Sequence, residues 1–148
     1  MLILFVCTGN TCRSPLAEFY FNELCRRAGR RDVKAESAGV CAFNGGGISR
    51  ESAFILRENG IPCDGFLSRC VTPAMIRDAD LIVAMGASHK EALADAFPEA
   101  APKLRLLMEF AGTPADVPDP YGGSAECYRG VFEQMKTPLE KLAESLFK

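Results

Sequence analysis

The chain has 148 residues, 48% hydrophobic and 24% charged, enough apolar material for one packed domain over residues 1–148 and too much for a disordered polymer. Its 17 Lys and Arg against 19 Asp and Glu leave a net charge of −2, which excludes a broad basic field for nucleic acid, so any positive site must be local. No stretch approaches the roughly 20 apolar residues that span a bilayer, no basic leader opens the chain, and seven cysteines read as free thiols in a reducing, cytoplasmic setting.

The predicted elements alternate. Leu2 to Val6 is a continuous apolar run, the pattern of a strand buried on both faces of a parallel sheet. A helix follows, with Ser14 as N-cap and Pro15 in its first turn. Its apolar face carries Leu16, Phe19, Tyr20, Leu24 and Ala28, and Gly29 stops it. "DVKAESAG" reads as a second strand, "FNGGG" as a loop, and "SRESAFILRENG" as a helix closed by Gly60. "TPAMIRDA" predicts a short helix capped by Thr72, "DLIVAM" a third strand, "SHKEALADAF" another helix and "KLRLLMEF" a fourth strand. After a loop rich in Pro, Gly and Asp, Ser124 to Phe147 is predicted helical, with Pro138 kinking or breaking it. This order predicts a single-domain α/β fold, a four-stranded parallel twisted sheet with helices on both faces, whose ligands bind outside the carboxyl ends of the strands.

That rule singles out "CTGNTCRS", Cys7 to Ser14, at the end of the first strand. The spacing C-x5-R is weak by itself, since it also occurs from Cys25 to Arg31 and from Cys63 to Arg69; only the first joins a strand, a glycine-containing loop and a helix N-terminus. A loop wrapped at that position turns backbone N–H groups inward, where they and the helix dipole favour a phosphate dianion. Gly9 allows close approach, Asn10 tolerates left-handed geometry, and the planar fork of Arg13 grips two phosphate oxygens. In such a positive setting a cysteine favours its nucleophilic thiolate, which makes Cys7 the candidate nucleophile, with Ser14 donating a hydrogen bond to its sulfur. The predicted substrate-binding set is Thr8, Gly9, Asn10, Thr11, Cys12 and Ser14, with Tyr121 from the later loop. A Walker loop is excluded because Gly-Lys-Ser/Thr is absent, and a structural zinc site because Cys7 and Cys12 are wrongly spaced and His89 is the one histidine. His89 is read as a surface or packing residue.

Attack on phosphorus needs a proton donor for the leaving group. "ADVPDPYGGS" offers Asp116 and Asp119, and Asp119 is preferred because Pro118 and Pro120 restrict the backbone on either side. Tyr121 either flanks the cleft and stacks on a planar group or covers a hydrophobic edge.

The two loops together resemble the low-molecular-weight protein tyrosine phosphatase family, with an early C-x5-R-S loop and an Asp-Pro-aromatic loop near the C-terminus. "SAG" at Ser37 to Gly39 and "DADLIVAM" extend the resemblance over almost the whole chain. It implies Cys7 as nucleophile, Arg13 as phosphate ligand and Asp119 as the acid that later activates water. Asn10 and Ser14 fall on loop-supporting positions, and Cys12 on a redox position able to pair reversibly with the nucleophile. No metal or other cofactor is implied, the partners are phosphorylated proteins, and the oligomeric state is left open. Thr11 stands where tyrosine-directed members carry a bulky aliphatic residue, so the loop is most similar to the bacterial protein arginine phosphatase branch, while Tyr121 keeps phosphotyrosine as the alternative. Two further readings are a thioredoxin-coupled arsenate reductase, suggested by Cys63 and Cys70, and an inactive anion-binding module. The loop "CAFNGGGIS" is expected to border the cleft.

Overall fold

Strand β1, Leu2–Cys7, sits at the middle of the molecule because its side chains are apolar on both faces. In the computed structural model, which describes residues 1–148, it pairs in parallel with β2 (Lys34–Gly39) on one side and β3 (Leu81–Ala84) on the other. Strand β4, Leu104–Leu106, adds to β3, giving the parallel order β2-β1-β3-β4. The pleat splits β1 between two cores. Ile3, Phe5 and Cys7 face helices α1 (Arg13–Arg27), α2 (Arg50–Glu58) and α5 (Ala125–Leu146). Leu4 and Val6 face α3 (Pro73–Asp78) and α4 (Ala87–Ala96). The strand order reverses direction between β1 and β3, and the crevice above such a switch point is where open α/β sheets hold ligands.

Several local signals act as the sequence predicts. Thr72 caps α3 by accepting the Met75 N–H, and Gly29 and Gly60 take left-handed backbone just past α1 and α2; Ser49, read as part of the second helix, stands just before α2 and caps it by accepting the Ser52 N–H. Others differ. Helix α1 begins at Arg13 with Cys12 at its N-cap and no side-chain cap bond, because the Ser14 hydroxyl is engaged beside the Cys7 sulfur instead. Its buried face is turned from the predicted one: Phe21 and Cys25 are buried, Phe19 and Leu24 pack at the edge, and Ala28 is exposed. The fourth strand is only three residues long, since the Glu109 carboxylate accepts the Leu106 N–H at 2.8 Å and the chain turns into a 3-10 segment over Leu107–Ala111. Helix α5 continues through Pro138, held on both sides of it by Tyr128, Phe132, Met135, Leu139 and Leu142 in the core. No helix is long and apolar enough to cross a membrane.

Candidate active site

The loop after β1 is turned inside out by what surrounds it. The carbonyls of Cys7, Thr8 and Thr11 accept N–H groups from Val40, Cys41 and Ser49, each at 2.9 Å. The Cys12 carbonyl takes the Ser52 hydroxyl at 3.3 Å. With its carbonyls drawn outward, the loop leaves the N–H groups of Gly9, Asn10, Thr11 and Cys12 donating to no protein acceptor. Unpaired amides arranged this way at the start of α1 form a cradle for an anion.

Asn10 locks that shape. Its backbone is left-handed, φ 56°, and its fully buried amide makes three bonds: Nδ2 donates to Ser14 Oγ and Ser37 Oγ at 2.9 Å each, and Oδ1 accepts the Arg69 N–H at 2.8 Å. Because Ser14 Oγ already accepts from Asn10, its one proton is left to donate, and Cys7 Sγ at 2.9 Å is a nearer acceptor than the Ala38 carbonyl at 3.5 Å. Behind this pair, the Ser37 hydroxyl donates to Glu18 Oε1 at 2.5 Å, and burial pushes the Glu18 carboxyl up. Gly39 makes room for the loop: a Cβ there would stand 2.4 Å from the Thr8 carbonyl oxygen and 3.0 Å from the Asn10 nitrogen. Gly39→Ala is therefore expected to destabilise the protein by roughly 2–4 kcal/mol and to cut activity with it, read by thermal unfolding and by hydrolysis of an aryl phosphate.

Cys7, Thr8, Gly9, Thr11, Cys12, Arg13, Asp119 and Tyr121 line one cavity of about 260 Å³. The buried Arg13 guanidinium donates to the Val117 carbonyl at 3.0 Å and lies 3.6 Å from the Asp119 carboxylate. The Val117 N–H donates to the Met85 carbonyl just past β3, and this hydrogen bond brings a loop more than a hundred residues away in sequence over the end of β1. Asp119 Oδ1 accepts the Tyr121 N–H, and its side chain is 55% exposed, free to reach a bound molecule. Tyr121 projects into solvent at the same rim.

The other predicted residues divide. Asn10 and Ser14, predicted to bind substrate, have side chains fully buried behind the cavity wall: these polar side chains hold the loop and the Cys7 sulfur, so they support the site without lining it, and Asn10 faces a ligand only through its backbone N–H. Asp116 accepts the Ala87 N–H at 2.8 Å and packs on Gly86, which occupies it at the start of α4 and leaves Asp119 as the carboxylate at the cavity. Cys12 Sγ lies 3.3 Å from the Tyr128 hydroxyl, and burial followed by that bond pushes the Tyr128 phenol well above its usual range. Cys63 and Cys70 are outside the cavity, and all seven cysteines are free. The 41–49 loop contributes hydrogen bonds to the cradle from outside and no residue to the cavity lining.

His89 is neither on the surface nor merely packed. It is 3% exposed, and its Nε2 lies 2.8 Å from Thr8 Oγ1 at the cradle. Burial, reinforced by Arg13 and opposed by Asp116 and Asp119, holds this imidazole below its ordinary pKa. A usable signal was present in the sequence: His89 follows the third strand by a few residues, so the rule that brings Cys7 to the cleft brings His89 there too. Ser37 shared that signal, in "SAG" at the carboxyl end of β2, whereas Arg69 and Tyr128 carried none, because each reaches the loop from an element distant in sequence.

Residues 2–148 match the low molecular weight phosphotyrosine protein phosphatase family. The chain is 39% identical over 145 residues to a protein-arginine-phosphatase of Geobacillus stearothermophilus, covering 97% of this chain and 95% of the relative. It is also 39% identical over 155 residues to the low molecular weight protein-tyrosine-phosphatase YfkJ of Bacillus subtilis, covering 99% and 96%. Among solved structures it resembles a mutant of the YwlE arginine phosphatase with a phosphorylated active site serine, at TM-score 0.95 and 37% identity, covering 100% of this chain and 97% of that one.

Proposed function

Because the chain belongs to the low molecular weight phosphotyrosine protein phosphatase family, we propose that it acts as one catalytic domain that hydrolyses phosphoarginine on proteins through a phospho-cysteine, with no metal. The observation that carries this reading is Thr11 in the wall of the cavity that holds Cys7, Arg13 and Asp119. A short side chain with a hydroxyl leaves a roomier, more polar wall for a planar guanidino group than a bulky aliphatic one does.

The chemistry runs in two displacements. The phosphoryl group enters the cradle, its oxygens taking the free N–H groups of Gly9 to Cys12 and the fork of Arg13. Cys7 thiolate attacks phosphorus while the Asp119 carboxylic acid protonates the departing guanidino nitrogen, so that the P–N bond breaks as the S–P bond forms. Asp119, now a carboxylate, takes a proton from water attacking the phospho-cysteine; the S–P bond breaks, and the Ser14 hydroxyl stabilises the returning thiolate across 2.9 Å. The relative with a phosphorylated active site serine supports covalent transfer to the residue at the head of the loop.

Thr11→Ile is the test. Initial rates of the wild type and the variant on a phosphoarginine protein and a phosphotyrosine protein are expected to move the ratio roughly tenfold or more toward phosphotyrosine; an unchanged ratio overturns the substrate assignment. The second reading, phosphotyrosine, is favoured by one observation: the Tyr121 ring at the rim offers a face for an aromatic ring. Seven free cysteines support a reducing, cytoplasmic location.

A further inference from the structure

His89 Nδ1 is the one buried side-chain nitrogen or oxygen in the molecule without a hydrogen-bond partner. Its other nitrogen is bonded to Thr8, a residue of the cavity wall. We propose that His89 is a positioning residue that donates its Nε2–H to Thr8 Oγ1 and thereby directs the Thr8 hydroxyl proton into the cavity, adding a side-chain donor to the backbone cradle.

The direction of that 2.8 Å bond decides what Thr8 can do. Were the imidazole proton on Nδ1, a buried N–H would be orphaned, Nε2 would accept, and the Thr8 proton would be spent on the histidine. With the proton on Nε2, the orphan is only an acceptor lone pair, the less costly group to leave unpaired. The third state, imidazolium, buries a charge close to Arg13 and still leaves the Nδ1–H unpaired. Burial is the main cause that disfavours protonation; of the charged groups facing the ring, Arg13 on α1 adds to it, and Asp116 and Asp119 on the loop after β4 oppose it. Thr8 Oγ1 has no protein partner other than His89, so once it accepts from Nε2 its proton is left for whatever occupies the cavity. Only the statement that this occupant is a phosphoryl group rests on the phosphatase reading.

His89 is the chain's one histidine, so its ring nitrogens give an unambiguous signal in long-range proton–nitrogen NMR of the whole protein. The expected spectrum at neutral pH has a protonated Nε2 and a bare Nδ1; a protonated Nδ1 overturns the proposal. Binding of inorganic phosphate, measured by titration without turnover, supplies the second readout. Thr8→Val and His89→Leu are each expected to weaken phosphate about tenfold, the scale of losing one hydrogen bond to a charged ligand. Together they are expected to weaken it no further, since both remove the same donor. His89→Gln, whose amide nitrogen can occupy the Nε2 position, is expected to restore binding. Undiminished affinity in Thr8→Val, additive losses in the double variant, or failure of the glutamine to rescue overturns it. If His89→Leu does not fold, the NMR signature and Thr8→Val decide. Failure of the phosphatase reading would appear separately, as a wild type that binds phosphate but turns over no phosphoprotein.

Discussion

Cys7→Ser is expected to lower turnover by roughly 10⁵-fold or more, the scale on which an enzyme loses a covalent nucleophile, while the variant still binds inorganic phosphate. The two halves of that result follow from separate parts of the site. Turnover needs a thiolate that attacks and then leaves, whereas a serine hydroxyl is a weak nucleophile and its oxygen a poor leaving group once phosphorylated. Binding depends on the free amides of Gly9 to Cys12 and on Arg13, none of which the substitution removes. Hydrolysis of an aryl phosphate, with phosphate titration alongside, checks both. Retained turnover would remove Cys7 from the chemistry, and lost binding would mean that the loop had collapsed.

Asp119→Asn is expected to lower kcat by roughly 10²–10⁴-fold, the usual contribution of a positioned general acid and base, with a larger loss on phosphoarginine than on an aryl phosphate. The asymmetry comes from the leaving groups. A phenolate, whose phenol has a pKa of about 10, departs unprotonated, whereas a guanidino nitrogen is far too basic to leave without a proton. On the aryl substrate the first displacement therefore survives, the second still lacks its base, and stopped-flow should show a burst of phenolate followed by a slow steady state. Asp116→Asn is the control: its amide oxygen can still accept the Ala87 N–H, so stability changes by less than about 1 kcal/mol and the leaving-group pattern stays intact. A variant at residue 119 with no burst and no difference between substrates would move the proton donor elsewhere.

Much of this site was legible along the chain because its chemistry is local. Cys7, the glycine-containing loop, Arg13 and the start of a helix occupy consecutive positions, and their residue types are those that an anion cradle at a strand end requires. The prolines flanking Asp119 marked out the second loop in the same way, and its placement followed from topology, since both loops leave carboxyl ends of strands in one parallel sheet. The weaker expectations concerned detail that packing decides. Periodicity identifies an amphipathic helix such as α1 but not which neighbouring residue, Phe19 or Phe21, faces the core. The short β4 depended on a bond from the Glu109 side chain that no run of hydrophobicity records.

The chain by itself determined the kind of chemistry and the nucleophile, the phosphate grip and the proton donor proposed to perform it, since these reside in residue types and near-neighbour spacing. Only the folded molecule decided what holds them in place: that Asn10 and Ser14 stand behind the wall, that Asp116 tethers a helix while Asp119 meets Arg13, and that His89 grips Thr8. The reason is that a buried polar group takes whatever partner three-dimensional packing delivers, and between residues 81 positions apart, as Thr8 and His89 are, linear order carries no information about hydrogen-bond distance.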